Sequence, residues 1–254
     1  MPSFERQELD VNGVKTVVLS SGSGDPVVFL HGAGTMTGFD FALPLAERYR
    51  LIVPIHPGYS DSGDDPSISS VHDYVLHYLD LFDQLGLDSL RLVGHSLGGW
   101  MAATFAIEQT KRVEKLALVS PAGLRVPEAP TADLFSIPPE ALLPALTENL
   151  EIFEGKMSNP PDLDFIVARY RESASFAQVA WERIYDPKLS KWLHRLTMPT
   201  LILWGEKDQI IPAAQADAWA RLIPEAQVKV LPDRGHLVLE ETPDALGVIG
   251  DFLS

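Results

Sequence analysis

The chain contains no cysteine and far fewer basic than acidic residues. Of its 254 residues, 20 are Lys or Arg and 35 are Asp or Glu, which gives a formal net charge of −15. The absence of cysteine excludes disulfides, thiolate zinc sites, iron–sulfur ligation and a cysteine nucleophile. The negative charge predicts repulsion from nucleic acid phosphates and from anionic membrane surfaces. We therefore expect neither nucleic acid nor a membrane as a partner.

Long apolar runs are also missing from the sequence. No segment approaches the ~18 consecutive apolar residues that a membrane span requires. The first ten residues lack the basic start and apolar core of a signal peptide. The patterns G-x-x-x-x-G-K-[ST], G-x-G-x-x-G and H-E-x-x-H do not occur, so the sequence predicts no cofactor and no metal. We expect a soluble, cytoplasmic protein.

Strand and helix patterns alternate along most of the chain. Residues 5–20 are typical of a β-hairpin that turns at Asn12-Gly13. Apolar runs that predict strands follow at Val27–Leu30, Leu51–Ile55, Leu90–Val93, Leu116–Val119, Thr200–Trp204 and Val228–Leu231. Helical patterns lie between or after them, at Phe41–Arg48, Ser70–Leu85, Leu97–Gln109, Ala213–Leu222 and Ala245–Leu253. This alternation predicts the α/β class, with a parallel sheet covered by helices on both faces.

The segment 127–196 departs from this alternation. It is rich in proline and predicts helices at Ala141–Phe153, Leu163–Arg171, Ser175–Tyr185 and Leu189–Leu196. Roughly 70 residues are too many for a plain loop in a compact domain. We therefore predict a core domain of residues 1–126 and 197–254, and a helical cap of residues 127–196 over one end of the sheet. The aromatic side chains of the cap either line an apolar pocket or form its core: Phe135, Phe153, Phe165, Phe176 and Trp181.

The strand and helix on either side of Ser96 meet in the sequence Gly94-His95-Ser96-Leu97-Gly98. G-x-S-x-G between a strand and a helix is the nucleophile-elbow pattern. The chain must turn from strand to helix within about one residue, which strains the backbone of the serine and exposes its hydroxyl. A side chain at Gly94 or Gly98 would collide with neighbouring backbone. A glycine-rich turn with a surface serine is the alternative, but the flanking strand and helix favour a nucleophile.

A nucleophilic serine requires a base and a group that orients the base. His236 follows the last predicted strand, and Asp208 follows the strand that ends at Trp204. Both therefore lie where the carboxyl ends of parallel strands place functional loops. The order Ser96, Asp208, His236 is the one that the elbow pattern requires. Glu206 is the nearest competitor for the acid, and a turn aspartate and a surface histidine are the structural alternatives.

Two backbone N–H groups are candidates for stabilising an oxyanion. Leu97 directly follows the nucleophile, and Ala33 lies in the turn His31-Gly32-Ala33-Gly34 after the strand Val27–Leu30. Donors at these positions would form the oxyanion hole of an acyl-transfer reaction. A simple strand-ending turn is the alternative for the second position.

Other polar residues are assigned less specific roles. His95, beside the nucleophile, either touches the substrate or packs against the core. Arg169 or Arg171 is a candidate for binding a substrate carboxylate. His72 and His77 are five residues apart on a predicted helix, which is the wrong spacing for a shared metal, so we expect both to face solvent.

Taken together, these motifs resemble the α/β-hydrolase superfamily. The resemblance is carried by His31-Gly32-Ala33-Gly34, His56-Pro57-Gly58-Tyr59-Ser60-Asp61-Ser62-Gly63, Gly94-His95-Ser96-Leu97-Gly98-Gly99, Trp204-Gly205-Glu206-Lys207-Asp208 and Gly235-His236. It implies a mostly parallel sheet of about eight strands, flanked by helices, with a lid between the sixth and seventh strands.

Within the superfamily, the chain is similar to carboxylesterases and to hydrolases of carbon–carbon bonds in ring-cleavage products. Haloalkane dehalogenases and epoxide hydrolases use aspartate at the elbow, where this chain has serine. Ring-cleavage-product hydrolases commonly carry asparagine before the nucleophile and tryptophan after the base, where this chain has His95 and Leu237.

The expected activity is hydrolysis of a small, largely apolar ester through an acyl-enzyme on Ser96, with His236 as base and Asp208 as its partner. The alternatives are carbon–carbon bond hydrolysis of meta-cleavage-type dienoates, or a lyase reaction, with the same three residues. An alternative of another class is a non-catalytic ligand receptor on the same fold. We expect a small-molecule substrate as partner, and the sequence predicts no oligomeric state.

Overall fold

An eight-stranded sheet forms the centre of this computed structural model, which describes residues 2–156 and 162–254. The strands are β1 (Glu5–Val11), β2 (Val14–Ser21), β3 (Pro26–Leu30), β4 (Arg50–Pro54), β5 (Leu90–His95), β6 (Val113–Val119), β7 (Thr200–Gly205) and β8 (Gln227–Leu231). Their order across the sheet is β1-β2-β4-β3-β5-β6-β7-β8. The β1–β2 hairpin is antiparallel, β2 pairs antiparallel with β4, and the pairs from β4 to β8 are parallel. The predicted fold class is confirmed.

Helices cover the sheet and bury its apolar strands. Those of the core are α1 (Val71–Gln84), α2 (Leu97–Glu108), α5 (Gln215–Leu222), α6 (Val238–Glu241) and α7 (Pro243–Leu253), and those between β6 and β7 are α3 (Pro139–Leu146) and α4 (Leu163–Ala180). Short 3₁₀ helices lie at Asp40–Glu47, Leu150–Phe153, Leu189–Lys191 and Leu193–Arg195. Helix α2 is buried from Leu97 to Ile107, as an all-round apolar helix must be. Within residues 2–156 and 162–254, no helix has both the length and the apolar character needed to cross a bilayer.

The carboxyl ends of the parallel strands carry every candidate catalytic residue. Ala33 follows β3, Ser96 follows β5, Asp208 follows β7 and His236 follows β8. Parallel strands point in one direction, so these loops meet at a single edge of the sheet.

Between β6 and β7, the described residues form helices joined by turns and coil and contain no strand, apart from one isolated bridge between Gly123 and Tyr185. The bounds 127–196 for a cap stay a prediction, and residues 157–161 of that range lie outside the described residues. Two helix predictions within it are wrong in detail. Leu163–Arg171 and Ser175–Tyr185 are not separate helices, because one helix, α4, runs through the polar residues between them.

The predicted helix Ala141–Phe153 is also wrong, because it breaks at Thr147. This residue has an extended backbone, with φ −149° and ψ 145°. Its hydroxyl donates to Glu241 Oε1 at 2.7 Å, and Asn149 then caps the following 3₁₀ helix. The hydrogen bond to Glu241, which is distant in the chain, therefore ends the helix at a point where the local sequence pattern favours its continuation.

Glu172 explains why α4 tolerates polar residues at its middle. The side chain is 3% exposed and pairs with Arg169 one helical turn earlier. Its carboxylate accepts hydrogen bonds from the Thr35 hydroxyl and backbone N–H, and from the Ser60 N–H. Glu172 thus joins α4 to the loops that follow β3 and β4.

Two further side chains join α4 to the loop after β4. Arg171 donates to Asp64 Oδ1 at 2.8 Å and to the carbonyl oxygens of Ser60 and Ser62. Ser175 donates to the carbonyl oxygen of Gly58 at 3.1 Å. The helix is therefore attached to the core by charged and polar contacts along nearly two turns.

His77 does not face solvent as expected. Its side chain packs beneath α1 against the hairpin, where Nε2 lies 3.0 Å from the hydroxyl of Thr16. Burial lowers the pKa of His77 to about 4, although the charges of Asp65 and Asp80 act in the opposite direction. His72 is exposed as expected and contacts Glu108.

Replacing Glu172 by alanine should loosen α4 and the loop after β3 together. The change removes the acceptor of Thr35 and Ser60 and leaves Arg169 without its partner, which costs about 3 kcal/mol for a buried pair. Hydrogen exchange measured by mass spectrometry should accelerate in residues 31–37 and in α4. Glu182→Ala, at an 85% exposed side chain just beyond α4, is the control. Unchanged exchange in residues 31–37 would show that Glu172 does not hold this loop.

The stability of the fold should depend on pH through His77. The histidine is neutral in the folded state and has a pKa near 6.5 when the chain is unfolded. Its contribution to the free energy of unfolding is therefore complete above pH 6.5 and is lost as the pH falls towards 4. At pH 5 the loss amounts to about 2 kcal/mol.

Urea unfolding between pH 7 and pH 4.5 measures this dependence. His77→Gln can still form a hydrogen bond with Thr16. Its unfolding free energy should fall less steeply with decreasing pH than that of the unmodified protein, and the difference in slope should correspond to about one proton. His72→Gln should keep the original slope, since its side chain is exposed. An equally steep fall in His77→Gln would contradict the assignment.

Candidate active site

Ser96 occupies the sharp turn between β5 and α2. Its backbone has φ 55° and ψ −116°, a conformation that costs a non-glycine residue of order 1–3 kcal/mol. Three backbone hydrogen bonds hold it there: its N–H donates to the Val119 carbonyl, and its own carbonyl accepts from Trp100 and Ala122. The end of β6, the loop after it and the first turn of α2 thus fix the direction of the serine side chain.

The two glycines of the elbow are required by close backbone contacts. A Cβ atom at Gly98 would overlap the carbonyl oxygens of Leu30 and His31. One at Gly94 would overlap the carbonyl oxygen of Gly98. Any larger residue at either position would push β5, α2 and the end of β3 apart, which agrees with the requirement inferred from the motif.

Asp208 and His236 are brought together from loops 28 residues apart in the chain. His236 Nδ1 lies 2.8 Å from Asp208 Oδ2, and both side chains are almost fully buried. The other carboxylate oxygen, Oδ1, accepts from the N–H groups of Ile210 and Ile211 at 2.9 and 2.8 Å. A carboxylate held in this way orients the imidazole with Nδ1 protonated and Nε2 unprotonated.

The pKa of Asp208 lies below its ordinary value despite burial. Burial by itself raises the pKa, but the charge and hydrogen bond of His236 and the backbone donors Ile211 and Ile210 outweigh it. The acid therefore stays ionised beside the imidazole. Glu206, its sequence competitor, is exposed and accepts from the Asp233 N–H, so it plays no part in this pair.

Ser96 and His236 line the same cavity. Among the described contacts there is no hydrogen bond from the Ser96 hydroxyl to the imidazole. Catalytic hydrogen bonds are often long in the absence of substrate and tighten when it binds. His95 Nε2 donates to the carbonyl oxygen of His236 at 2.9 Å, which holds the backbone of the base from the β5 side.

His95 also packs against His236, with ring centroids 5.0 Å apart. Burial, together with the charge of His236, lowers the pKa of His95 to about 3, so this ring is neutral. Packing against the core is one of the two roles expected for His95, and the ring does pack against the core and against His236. The residue also lines the cavity.

Of the two candidate oxyanion donors, Ala33 lines the cavity and Leu97 directly follows Ser96, which also lines it. Leu97 opens α2, where the first N–H groups of a helix have no acceptor within it. Within the described chain, neither the Ala33 nor the Leu97 N–H donates to another protein group. Both donors are therefore available to an oxygen atom placed beside Ser96.

A pair of stacked histidines supports the loop that carries Ala33. His31 and His56 lie with ring centroids 3.5 Å apart. His31 Nδ1 donates to the Gly32 carbonyl at 2.7 Å, and His31 Nε2 accepts from the His56 N–H at 3.1 Å. His56 Nε2 donates back to the His31 carbonyl at 2.7 Å.

Burial keeps both of these rings neutral. It lowers the pKa of His31 to about 3 and places that of His56 well below its ordinary value. Neutral rings can each donate from one nitrogen and accept at the other, as this hydrogen-bond pattern requires. The motif that begins at His56, which from sequence contributes only to the family resemblance, thus helps to support the loop of Ala33.

The cavity has a volume of about 410 Å³ and is lined by residues at the sheet edge and by residues of α3 and α4. Its wall is mostly apolar and includes four of the five aromatic residues singled out in the cap: Phe135, Phe153, Phe165 and Phe176. Trp181 is excluded from this cavity and is 69% exposed. A site of this size and character fits a small organic molecule.

The two arginines considered for a substrate carboxylate have other partners. Arg169 lines the cavity, but its Nη1 lies 2.5 Å from Glu172 Oε2, so its charge is already balanced. Arg171 lies on the other side of α4 and binds Asp64. Within the described residues, no other lysine or arginine side chain lines the cavity.

Sequence reasoning missed three glutamates around the site. Glu172 holds the loop after β3, and Glu240 lines the cavity one helical turn after His236. Glu241 accepts from the Gly235 N–H and from Thr147, which ties the loop of His236 to the end of α3. Of the three, only Glu240 could have been suspected from the sequence, because it lies four residues after His236. Within residues 2–156 and 162–254, no cluster of three or more His, Asp or Glu is arranged to hold a metal ion.

Three curated relatives resemble most of this chain. It is 29% identical over 245 residues to the dihydrolipoyllysine-residue acetyltransferase component of the acetoin cleaving system of Cupriavidus necator, covering 91% of this chain and 64% of that protein. It is 27% identical to Lipase 1 of Psychrobacter immobilis, covering 95% and 83%. It is 28% identical to the 2-hydroxy-6-oxo-6-phenylhexa-2,4-dienoate hydrolase of Burkholderia cepacia, covering 92% and 89%.

A solved structure and a family match identify the fold. A bacterial membrane phospholipase A superposes with a TM-score of 0.85 at 23% identity, covering 98% of this chain and 86% of that one. The family described as alpha/beta hydrolase fold matches residues 25–243. The match begins just before β3 and extends beyond His236, so it includes the elbow, the acid loop and the base loop. The chain therefore belongs to the α/β hydrolase fold family and is a hydrolase of that family.

Proposed function

We propose that this protein is a serine hydrolase that cleaves a small ester through an acyl-enzyme on Ser96. The observation that carries the proposal is the 2.8 Å hydrogen bond between Asp208 and His236, at a cavity that Ser96 also lines. The positive φ of Ser96 supports it, because backbone strain of this kind collects at functional sites. The similarity to Lipase 1 favours an ester as the bond that is cleaved.

The first half of the reaction forms the acyl-enzyme. His236 Nε2 takes the proton of the Ser96 hydroxyl as the oxygen attacks the ester carbonyl carbon. The N–H groups of Ala33 and Leu97 donate to the oxyanion that develops. The carbon–oxygen bond of the ester then breaks, and the imidazolium returns its proton to the leaving alcohol. Ionised Asp208 stabilises the imidazolium throughout.

The second half returns the free enzyme. A water molecule enters the space left by the alcohol and gives a proton to His236 as its oxygen attacks the acyl carbon. The same two N–H groups hold the second oxyanion. The bond to Ser96 breaks, the serine oxygen regains a proton from His236, and the carboxylic acid leaves.

Carbon–carbon bond hydrolysis is the second candidate function, favoured by the similarity to the dienoate hydrolase of Burkholderia cepacia. A dienoate substrate carries a carboxylate, which requires a cationic or strongly donating subsite. In the described cavity wall, Arg169 is neutralised by Glu172, and Glu240 adds another carboxyl group. This balance of charge favours a neutral ester over an anionic dienoate.

Variants of the three residues should separate their roles. Ser96→Ala should lower kcat for p-nitrophenyl butyrate by about 10⁴-fold or more, because no nucleophile remains. Asp208→Asn should lower kcat by about 10³–10⁴-fold, because the imidazole loses its orienting carboxylate. Circular dichroism and urea unfolding check that both variants fold. Spectrophotometric release of p-nitrophenol measures the rates.

Glu206→Gln is the matched control for the acid and should change kcat/KM by less than about threefold, as an exposed substitution does. Hydrolysis that survives Ser96→Ala would contradict the mechanism. Absence of turnover of esters and dienoates, with tight binding of either, would favour a ligand receptor instead.

A further inference from the structure

One carboxyl group in the cavity has no role in the proposed reaction. Glu240 lies on α6, one helical turn after His236, and forms part of the cavity wall. Its Oε1 accepts from the Thr37 hydroxyl at 3.3 Å. Its Oε2 is enclosed and has no hydrogen-bond partner among the described residues. Buried polar atoms are nearly always paired, so an unpaired one beside a ligand cavity points to a partner on the ligand.

The charges around Glu240 do not neutralise it. The charges that lower its pKa are those of His236, on the loop before α6, and Lys156, which lies between β6 and β7 in the chain. Lys156 Nζ donates to the carbonyl oxygen of Thr37 at 2.6 Å and forms no ion pair with Glu240. Burial raises the pKa of Glu240 to about 7, although its own backbone N–H, the bond from Thr37 and the charges of His236 and Lys156 oppose the increase.

Both protonation states of Glu240 therefore exist near neutral pH, which limits the ligand group that fits it. An ionised carboxylate can only accept a hydrogen bond, and a protonated carboxyl group can also donate one. A hydroxyl group pairs with either state, because it both donates and accepts. An anionic group would be repelled by the ionised state, and the one arginine in the described cavity wall is already paired with Glu172.

The apolar character of the rest of the cavity wall makes Glu240 one of the few places where a polar group of the substrate can bind. It consists largely of apolar side chains, among them Phe29, Phe39, Leu134, Leu142, Phe153 and Phe176. In such surroundings, a polar group on the substrate has few places where it can be satisfied. A substrate without such a group leaves the Glu240 oxygen unpaired and binds less well.

We propose that Glu240 is a specificity-determining residue that binds a hydroxyl group of the substrate, so that hydroxylated esters are preferred over plain alkyl esters. The proposal rests on the proposed ester hydrolysis at Ser96. It refines the substrate predicted from the sequence, because a largely apolar ester now carries one hydroxyl group in the part that fills the cavity.

Paired substrates test this preference. Methyl esters of C4 to C6 acids are compared with the methyl esters of the corresponding hydroxy acids, and ethyl butyrate with 2-hydroxyethyl butyrate, by titration of the acid released. At least one hydroxylated ester should have a kcat/KM about tenfold or more above its plain partner. In Glu240→Leu this ratio should fall to near one. Glu240→Gln, whose amide can still bond a hydroxyl, should retain most of it.

A control and a binding measurement separate this proposal from the proposed function. Glu154→Gln, at an exposed glutamate of the cap, should keep the ratio of the unmodified protein. Calorimetric measurement of binding to Ser96→Ala protein tests the same pairs of esters without turnover. The hydroxylated ester of a pair should bind about tenfold more tightly than the plain ester. In protein that carries both Ser96→Ala and Glu240→Leu, this difference in affinity should disappear.

Each outcome decides between the two proposals. Plain esters that are cleaved with no hydroxyl preference, or a preference that survives Glu240→Leu, would overturn the role of Glu240 and leave ester hydrolysis standing. Failure to cleave any ester would overturn ester hydrolysis. The hydroxyl subsite would then stand if binding to Ser96→Ala protein still discriminates through Glu240, and fall if it does not.

Discussion

The strained backbone of Ser96 is the constraint on which the other parts of the site depend. A positive φ at a serine costs of order 1–3 kcal/mol, and the surrounding structure must supply that free energy. It does so through the parallel pairing of β5 with β3 and β6, the buried helix α2, and glycines at 94 and 98 that let the backbones approach. Because these contacts fix the turn, the serine side chain meets the loops after β3, β7 and β8 at one edge of the sheet.

The segment between β6 and β7 is hydrogen-bonded to two of the loops that form the candidate site. On one side, Glu172 of α4 holds Thr35, two residues beyond the candidate oxyanion donor Ala33. On the other, Glu241 joins Thr147 to Gly235, and the Leu237 N–H donates to the Leu146 carbonyl, on either side of His236. Movement of this segment would therefore disturb the loop of Ala33 and the loop of His236 together.

The features that could be predicted from sequence are those set by local requirements. The elbow at Ser96 needs glycines at fixed spacing, and Asp208 and His236 each follow a short, mostly apolar run that predicts a strand, which is buried in β7 and largely exposed in β8. Glu172, Glu240 and His77 could not be predicted in the same way, because each acquires its role from a partner distant in the chain. Thr147 shows the same limit, since a bond to Glu241 ends a helix that the local pattern would continue.

Covalent labelling tests the central claim, that Ser96 is a nucleophile activated by the His236–Asp208 pair. The protein would be incubated with a fluorophosphonate, and the mass of the intact chain and of its peptides would be measured. The account predicts a single adduct on Ser96, although Ser173 also lines the cavity. An unlabelled protein, or an adduct on Ser173 instead, would contradict it.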